Sequence, residues 1–408
     1  MKRANIIIVT ILSFVAVVES KGQRQAVNDD IIKVDVRKSY SQKKKMILQD
    51  FMDVEYIVLE TNKDFINQGV VRDIGKNLIL VTNENRINDG DIFVYDRTGK
   101  ALRKINNKGQ GPGEYTNISG IALDEDNNEM FINSHFSRKI LVYDLYGNFK
   151  RSFDQRSIEM FSDINGVKIK EEGGTFYKDI FNYDRDNLIC YDAFSEKAAF
   201  LLLSKQDGSI TKEINIPFKK KKFLEQTMLD MENMQIRVQN SGHFRTIIPF
   251  KGDWLLLEIS SDTVYKIMPD YSLRPFLVRT PTIESMNPEV FLLLRSLSDR
   301  YLFMETIRNE YNWEASAGFS RTYLTYDRRE KTFLGYTVYN GDYSIDKEMY
   351  MNQPRPANHE IESRLPLYAF QLIEDYNNGV LKDGKLKEIA SKLDEEDNPV
   401  IMLIKHKK

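Results

Sequence analysis

NLILVTNENRINDGDIFVYDRTGKALRKI, residues 77 to 105, is followed after a short glycine-rich passage by ISGIALDEDNNEMFINSHFSRKILVYDLYGNFKRSF, residues 118 to 153. The copies superpose on Ile92-Phe93-Val94-Tyr95-Asp96 with Gly99 and on Ile140-Leu141-Val142-Tyr143-Asp144 with Gly147, a shift of 143 − 95 = 48 positions. Each holds short runs of β-branched and aromatic residues cut by Asp, Asn and Gly turns, the pattern of strands in a meander. Weaker echoes follow in AAFLLLSKQDGSITKEI (198 to 214), with the hairpin signal Asp207-Gly208, in WLLLEISSDTVYKI (254 to 267) and in RTYLTYDRREKTFLGY (321 to 336). Units of about 48 to 60 residues with four strands each, repeated around an axis, describe a propeller in which every sheet buries both faces against its neighbours. The prediction is an all-β chain: a six-bladed β-propeller of four-stranded antiparallel blades, with short helical insertions and a helical C-terminal segment.

The ends and the composition set the compartment. Met1-Lys2-Arg3, an apolar run from Ala4 to Val18, and Val18 and Ser20 before a cut read as a signal peptide over residues 1–20. The apolar run falls short of the roughly 20 residues that cross a bilayer. The remaining 408 − 20 = 388 residues divide into an N-terminal lead-in, 21–50, and one propeller domain, 51–408, with no transmembrane segment in the mature chain. Strand-like DVEYIVLE near the start and PVIMLIK at the end are otherwise unpaired, and one completes a sheet begun at the other terminus. The 58 basic and 60 acidic residues give no field that would recruit nucleic acid. Cys190 is the only cysteine, so an intrachain disulfide is excluded and the core alone must stabilise an exported chain.

The stretch from Lys104 to Phe153 resembles the NHL-type repeat: a glycine-rich loop ending in Glu-Tyr (Gly109 to Tyr115), an apolar strand (Ile121 to Asp124), then Met130 to Asn133, Arg138 to Asp144, and Gly147 to Phe149. Asn133 stands where that repeat usually has an aspartate. More closely, EYIVLET (55 to 61), KGQGPGEY (108 to 115), SSDTVYKI (260 to 267) and DNPVIMLIKHKK (397 to 408) resemble the exported six-bladed β-propeller family of gut-type Gram-negative bacteria. That resemblance implies fold and export, and no agreed activity.

In a meander whose strands run A to D from the axis outwards, A–B and C–D turns lie on one face, B–C and D–A connections on the other. GQGPGEY is a D–A connection, while NENRINDG (83 to 90) and HFSRK (135 to 139) are B–C loops, so all three share a face. The long segments 217 to 244 and 279 to 299 fall between units and 308 to 319 within one, which places them on that face too. Phe223, Leu224, Met228, Met231 and Met234 in the first, and Val290, Phe291, Leu293, Leu294 and Leu297 in the second, predict short amphipathic helices, the second starting after Asn287-Pro288. LPLYAFQLIEDYNNG (365 to 379) and GKLKEIASKLDEED (384 to 397) also have helical periodicity. One-sided insertions point to that face as the functional one.

Chemistry on it is sparse. GQGPG is no nucleotide cradle, because Pro112 interrupts the spacing and a strand follows where a helix is needed. Glu114 either satisfies the loop's own amides or faces a ligand, and Tyr115 either packs between blades or joins it. Arg86 and Arg138 suit a carboxylate-bearing ligand, His135 falls on the same face, and Tyr311 and Trp313 suit a sugar or peptide surface. His135, His243, His359 and His406 lack metal-ligand spacing, and the run Lys219 to Lys222 reads as a solvated helix start. No nucleophile motif appears. The expectation is an exported, monomeric, cofactor-free and non-catalytic propeller, periplasmic or at the cell surface, that binds a carbohydrate, peptide or envelope protein partner through Arg86, Glu114, Tyr115, His135, Arg138, Tyr311 and Trp313. The alternative is a calcium-dependent lactonase-like hydrolase with its site in the central channel.

Overall fold

The computed structural model describes residues 31–40, 43–84, 89–164, 167–174, 177–230, 235–314, 318–351 and 358–407. Residues 1–30, where the signal peptide is expected, lie outside them, as does Arg86. The described chain from Ile31 onward forms a single compact unit. It begins with β1 (Ile32–Asp35), β2 (Lys43–Ile47), the one-turn helix α1 (Leu48–Phe51) and β3 (Met52–Val58).

Successive meanders follow. Blade 1 is β4 (Val70–Ile74), β5 (Leu78–Thr82), β6 (Ile92–Asp96) and β7 (Ala101–Ile105). Blade 2 is β8 (Gly120–Asp124), β9 (Glu129–Ser134), β10 (Lys139–Asp144) and β11 (Phe149–Asp154). A hairpin, β12 (Ser157–Ile164) with β13 (Val167–Gly174), precedes blade 3, which is β14 (Tyr177–Asn182), β15 (Asn187–Asp192), β16 (Phe200–Ser204) and β17 (Ile210–Ile214). A second hairpin, β18 (Glu225–Asp230) with β19 (Gln235–Asn240), precedes blade 4, formed by β20 (Ile247–Phe250), β21 (Asp253–Leu256), β22 (Thr263–Ile267) and β23 (Leu273–Thr280). Blade 5 is β24 (Val290–Leu297), β25 (Tyr301–Tyr311), β26 (Phe319–Asp327) and β27 (Thr332–Tyr339), with β28 (Glu348–Met349) against β27. Blade 6 pairs β29 (Ile361–Leu367) with β30 (Val400–His406), and β30 with β3. Helices α2 (Ala369–Asn377) and α3 (Lys385–Ala390) lie between β29 and β30.

This is the expected six-bladed propeller built on the four-stranded antiparallel meander. The residues expected as a lead-in belong to it: β1 runs parallel to β23 and β2 parallel to β27, adding outer strands to blades 4 and 5. Closure joins the two ends of the chain, with Met52 to Val58 opposite His406 to Val400. The glycine turns fix where β3 sits. Gly147 packs on Ile105 of the preceding blade and Gly208 on Phe153, while Gly99 packs on Val58 and Ile57. β3 therefore takes the outermost place in blade 6, as β7 and β11 do in theirs. The α2–α3 insertion then falls on the face of the D–A connections, where Tyr343 bridges to Leu381 and the Lys382 amide donates to the Asp342 carbonyl. Helix α2 ends as its NNG sequence dictates, with Gly379 left-handed at φ 65° and the Val380 amide donating back to the Asp375 carbonyl.

The core explains why strands this short hold together. Side chains alternate across each strand, so one sheet serves two neighbours. In β10, Leu141 and Tyr143 pack with Leu80, Val94 and Ile105 of blade 1, while Ile140 and Val142 pack with Ile180, Leu188 and Cys190 of blade 3. Six apolar clusters fill the six gaps between blades, the last joining Ile57, Ile401 and Leu403 to Ile79, Val81 and Phe93. Each fully buried large side chain contributes roughly 1.5–3 kcal/mol, so the ring coheres through its gaps more than through any one sheet.

Two sequence expectations are corrected. Residues 217 to 244 carry the hairpin β18–β19, whose cross-strand partners Leu229 and Ile236, Thr227 and Val238, reflect period-two pairing. Residues 290–297 are the inner strand of blade 5, every one buried, where both faces are covered and no alternation survives to distinguish strand from helix. The Lys219 to Lys222 run starts no helix.

Candidate functional site

The D–A and B–C connections around blades 2, 3 and 4 enclose a cavity of about 720 Å³. Its walls come from Asn117 and Ser119 before β8, His135 and Phe136 between β9 and β10, Ala193 and Phe194 between β15 and β16, the two strands' entry to the β18–β19 hairpin, and Ile259 between β21 and β22. The expected face is thus where the cavity opens.

Its floor is a buried ionic triad. Lys221 Nζ donates to Glu258 Oε2 at 2.8 Å and lies 3.3 Å from the Tyr191 hydroxyl, which donates to the same carboxylate oxygen at 3.0 Å. The Ser260 amide donates to Glu258 Oε1 at 3.0 Å. The Lys221 and Glu258 side chains are only 5% and 0% exposed, so each charge depends on the other. Burial, with the Glu258 carboxylate beside it, holds the Tyr191 hydroxyl well above the usual phenol range, and it stays protonated. Lys222 pairs with Glu289 at 3.1 Å and Glu284 at 3.7 Å, tying the segment before β18 to the connection before β24.

The rim is aromatic. Phe136 is 75% exposed, Phe223 44% and Phe194 36%, and the last two rings stand 6.4 Å apart. The Phe136 amide donates to Asn117 Oδ1 and the Asn117 amide nitrogen to Ser119 Oγ, tying two connections together. His135 lies beside the Phe136 ring, and burial, then the Arg138 guanidinium, lowers its pKa below the ordinary 6.5. A neutral imidazole faces the cavity at neutral pH.

Of the residues expected to bind a ligand, only His135 lines this cavity; His243, Lys221, Lys222, Phe223 and Leu224, read in the sequence in other roles, line it too. Arg138 is exposed on the same turn, left-handed at φ 53°. Glu114 Oε2 accepts from the Gly111 amide at 2.8 Å, and a Cβ on Gly109 would sit 1.9 Å from that oxygen, so a side chain at 109 would displace the Glu114 carboxylate. Tyr115 is fully buried; its hydroxyl donates to the Gly90 carbonyl at 2.6 Å and accepts from the Asn107 amide at 3.0 Å, leaving a ligand nothing to touch. Tyr311, at the end of β25, and Trp313, in the β25–β26 connection, pack edge to face at 4.8 Å, outside the cavity walls. Tyr191, Lys221, Glu258 and the three phenylalanines were not anticipated. Phe136 and Phe194 could have been found by comparing the B–C loops of successive repeats, since each sits just past a β strand in that loop.

At the axis, acidic groups are engaged. Asp73 accepts from the Ile74 and Leu123 amides, Asp179 from the Thr246 hydroxyl, and Glu362 from the Arg245 guanidinium and the Leu297 amide. Among the described residues no group of three His, Cys, Asp or Glu is placed to hold a metal ion.

Residues 31–405 match the family model described as Domain of unknown function DUF4934. The chain belongs to the DUF4934 family. Among solved structures it is similar to a candidate exported protein of Bacteroides fragilis NCTC 9343, at 15% identity over 93% of this chain and 100% of that one, with a TM-score of 0.54. It is also similar to a DUF4221 family member from Bacteroides vulgatus, at 10% identity over 87% of this chain and 98% of that one, with a TM-score of 0.43. The first of these likenesses agrees with the six-bladed propeller that the sequence motifs suggested. None of the curated proteins compared matches it. No helix among the described residues is long and apolar enough to cross a membrane.

Proposed function

We propose that this DUF4934 protein is an exported, non-catalytic binding propeller that takes a carbohydrate, peptide or protein partner of the cell envelope in the cleft over blades 2, 3 and 4, and acts as a monomer in the periplasm or at the cell surface. The observation that carries the reading is the rim of Phe136, Phe194 and Phe223, exposed around a cavity whose polar floor is already neutralised. Large aromatic rings held open to water above a concave surface favour ligand contact, while a floor whose carboxylate, amine and phenol satisfy one another offers positioning groups and no nucleophile. The apolar start of the chain and the exported relatives support the compartment. The rival reading, a calcium-dependent hydrolase, is disfavoured because Asp73, Asp179 and one oxygen of Glu362 already accept hydrogen bonds.

The test is capture of solubilised envelope glycans and proteins by the purified chain and by a variant carrying Phe136→Ser, Phe194→Ser and Phe223→Ser. The variant should stay folded with a modestly lowered melting temperature, because Phe136 is largely exposed while Phe194 and Phe223 are half-buried, and should lose captured material. Equal capture by both chains would overturn the proposal.

A further inference from the structure

The β18–β19 hairpin has a surface that the cleft alone does not explain. Its two faces differ by the period-two rule. Leu229, Ile236, Thr227 and Val238 share one face through their cross-strand pairings, and Leu229, Ile236 and Val238 are 58%, 69% and 51% exposed. The next pair on that face, Glu225 and Asn240, lines the cavity, so the apolar face runs directly into its mouth. The other face carries Gln226, Met228, Arg237 and Gln239, and the Gln226 side chain donates to the Asn309 carbonyl of β25 at 2.9 Å. The Asn309 side chain in turn donates to the Phe223 carbonyl at 3.3 Å, so β18 is the strand anchored to blade 5. β19 is the outer strand: every residue of it is exposed, and among the described residues β18 is the only strand that pairs with it. In a two-stranded ladder alternate N–H and C=O groups of each strand point away from its partner. β19 therefore offers a row of strand-spaced donors and acceptors to solvent.

We propose, resting on the reading of the cleft as the binding site, that the partner is an extended apolar peptide segment that adds to β19 as a third strand and seats one side chain against the exposed edges of Phe194 and Phe223. The backbone edge selects this occupant. A strand repeats donor and acceptor at the spacing of this edge, whereas a saccharide's hydroxyls do not follow that two-residue period and an acyl chain offers no hydrogen bonds. Side chains of the added strand on the near face then meet Ile236 and Val238, and specificity comes from the apolar residue that reaches the cavity.

The experiment presents the full chain to an array of peptides of about ten residues, a usual strand length, with apolar side chains at alternate positions, and to a glycan array in parallel. Peptides that bind are resynthesised with single backbone N-methyl groups, a change that leaves the protein untouched. Affinity should fall about tenfold at every second position and little between, as expected for losing one hydrogen bond at a time. Of the variants Arg237→Pro and Val238→Pro, the one that deletes an outward N–H should weaken peptide binding. Glycan binding that the phenylalanine variant abolishes, with no peptide bound, would overturn the strand-addition proposal and leave the cleft reading intact. Binding to neither array would count against both. Peptide binding without the two-residue period overturns the proposal, as does a chain that dimerises through β19, since its occupant is then a second copy.

Discussion

Tyr115 and Lys221 are polar residues whose roles are set by partners distant in sequence. Tyr115→Phe removes one group that satisfies the Gly90 carbonyl and the Asn107 amide together, in a buried site. The expected cost is about 1–3 kcal/mol, read as a lowered denaturation midpoint, with ligand capture unchanged because the ring lies outside the cleft. Lys221→Gln strands the Glu258 carboxylate at 0% exposure and should cost about 3–5 kcal/mol; the conservative Lys221→Arg should recover part of it. A Lys221→Gln chain as stable as the parent would show that the triad contributes nothing. Glu114 and Tyr115 were interpretable in the sequence because glycines and an aromatic follow a known turn within eight positions. Lys221 and Lys222 were not: their partners Glu258 and Glu289 lie 37 and 67 positions away, and a run of lysines looks solvated until those carboxylates are placed.

Blade 6 depends on one element more than any other does. β30 pairs with β29 on one side and with β3 on the other, and its Ile401, Met402, Leu403 and Ile404 feed the clusters on both sides of the blade. Truncation after Asp397 removes both ladders and opens the ring, so the cooperative unfolding transition should disappear or shift down by well over ten degrees, a scale that a few kcal/mol already reaches. An unchanged melting curve would refute closure through β30. The same logic separates the elements that could be read from sequence from those that could not. Strands with a turn at each end and an Asp-Gly or Tyr-Asp signature were readable, as was the pairing of the two termini. β24 was not, because a strand covered on both faces loses the alternation that identifies it, and Leu293, Leu294 and Leu297 match a helical period by chance. The β18–β19 hairpin was missed for a related reason, since Met228 and Leu224 fit a helix spacing while the informative feature, the Thr227–Val238 pairing, spans strands.

The ring stores protonation free energy at two groups that oppose each other, Asp73 in β4 of blade 1 and His406 at the end of β30 in blade 6. Burial and the Arg245 guanidinium, with Lys251 and His359 adding and Asp299 opposing, hold His406 down from 6.5 to about 4. Its neutral form belongs to the folded chain, so the unfolded chain takes up a proton first and stability is lost as pH falls from 6.5 to 4. Asp73 goes the other way. Burial raises it from 3.8 to about 6, against Arg364 and the Leu123 and Ile74 amides, so the folded chain takes up the proton first and stability is gained as pH falls from 6 to 3.8. Each shift of about two units corresponds to roughly 3 kcal/mol, so over that window the two largely cancel. Single variants separate them. The stability difference between the parent and Asp73→Asn should grow by about 2–3 kcal/mol from pH 7 to pH 4, and that between the parent and His406→Asn should shrink by about as much, measured by denaturant titration at each pH. Differences that stay constant with pH would remove both groups from the linkage.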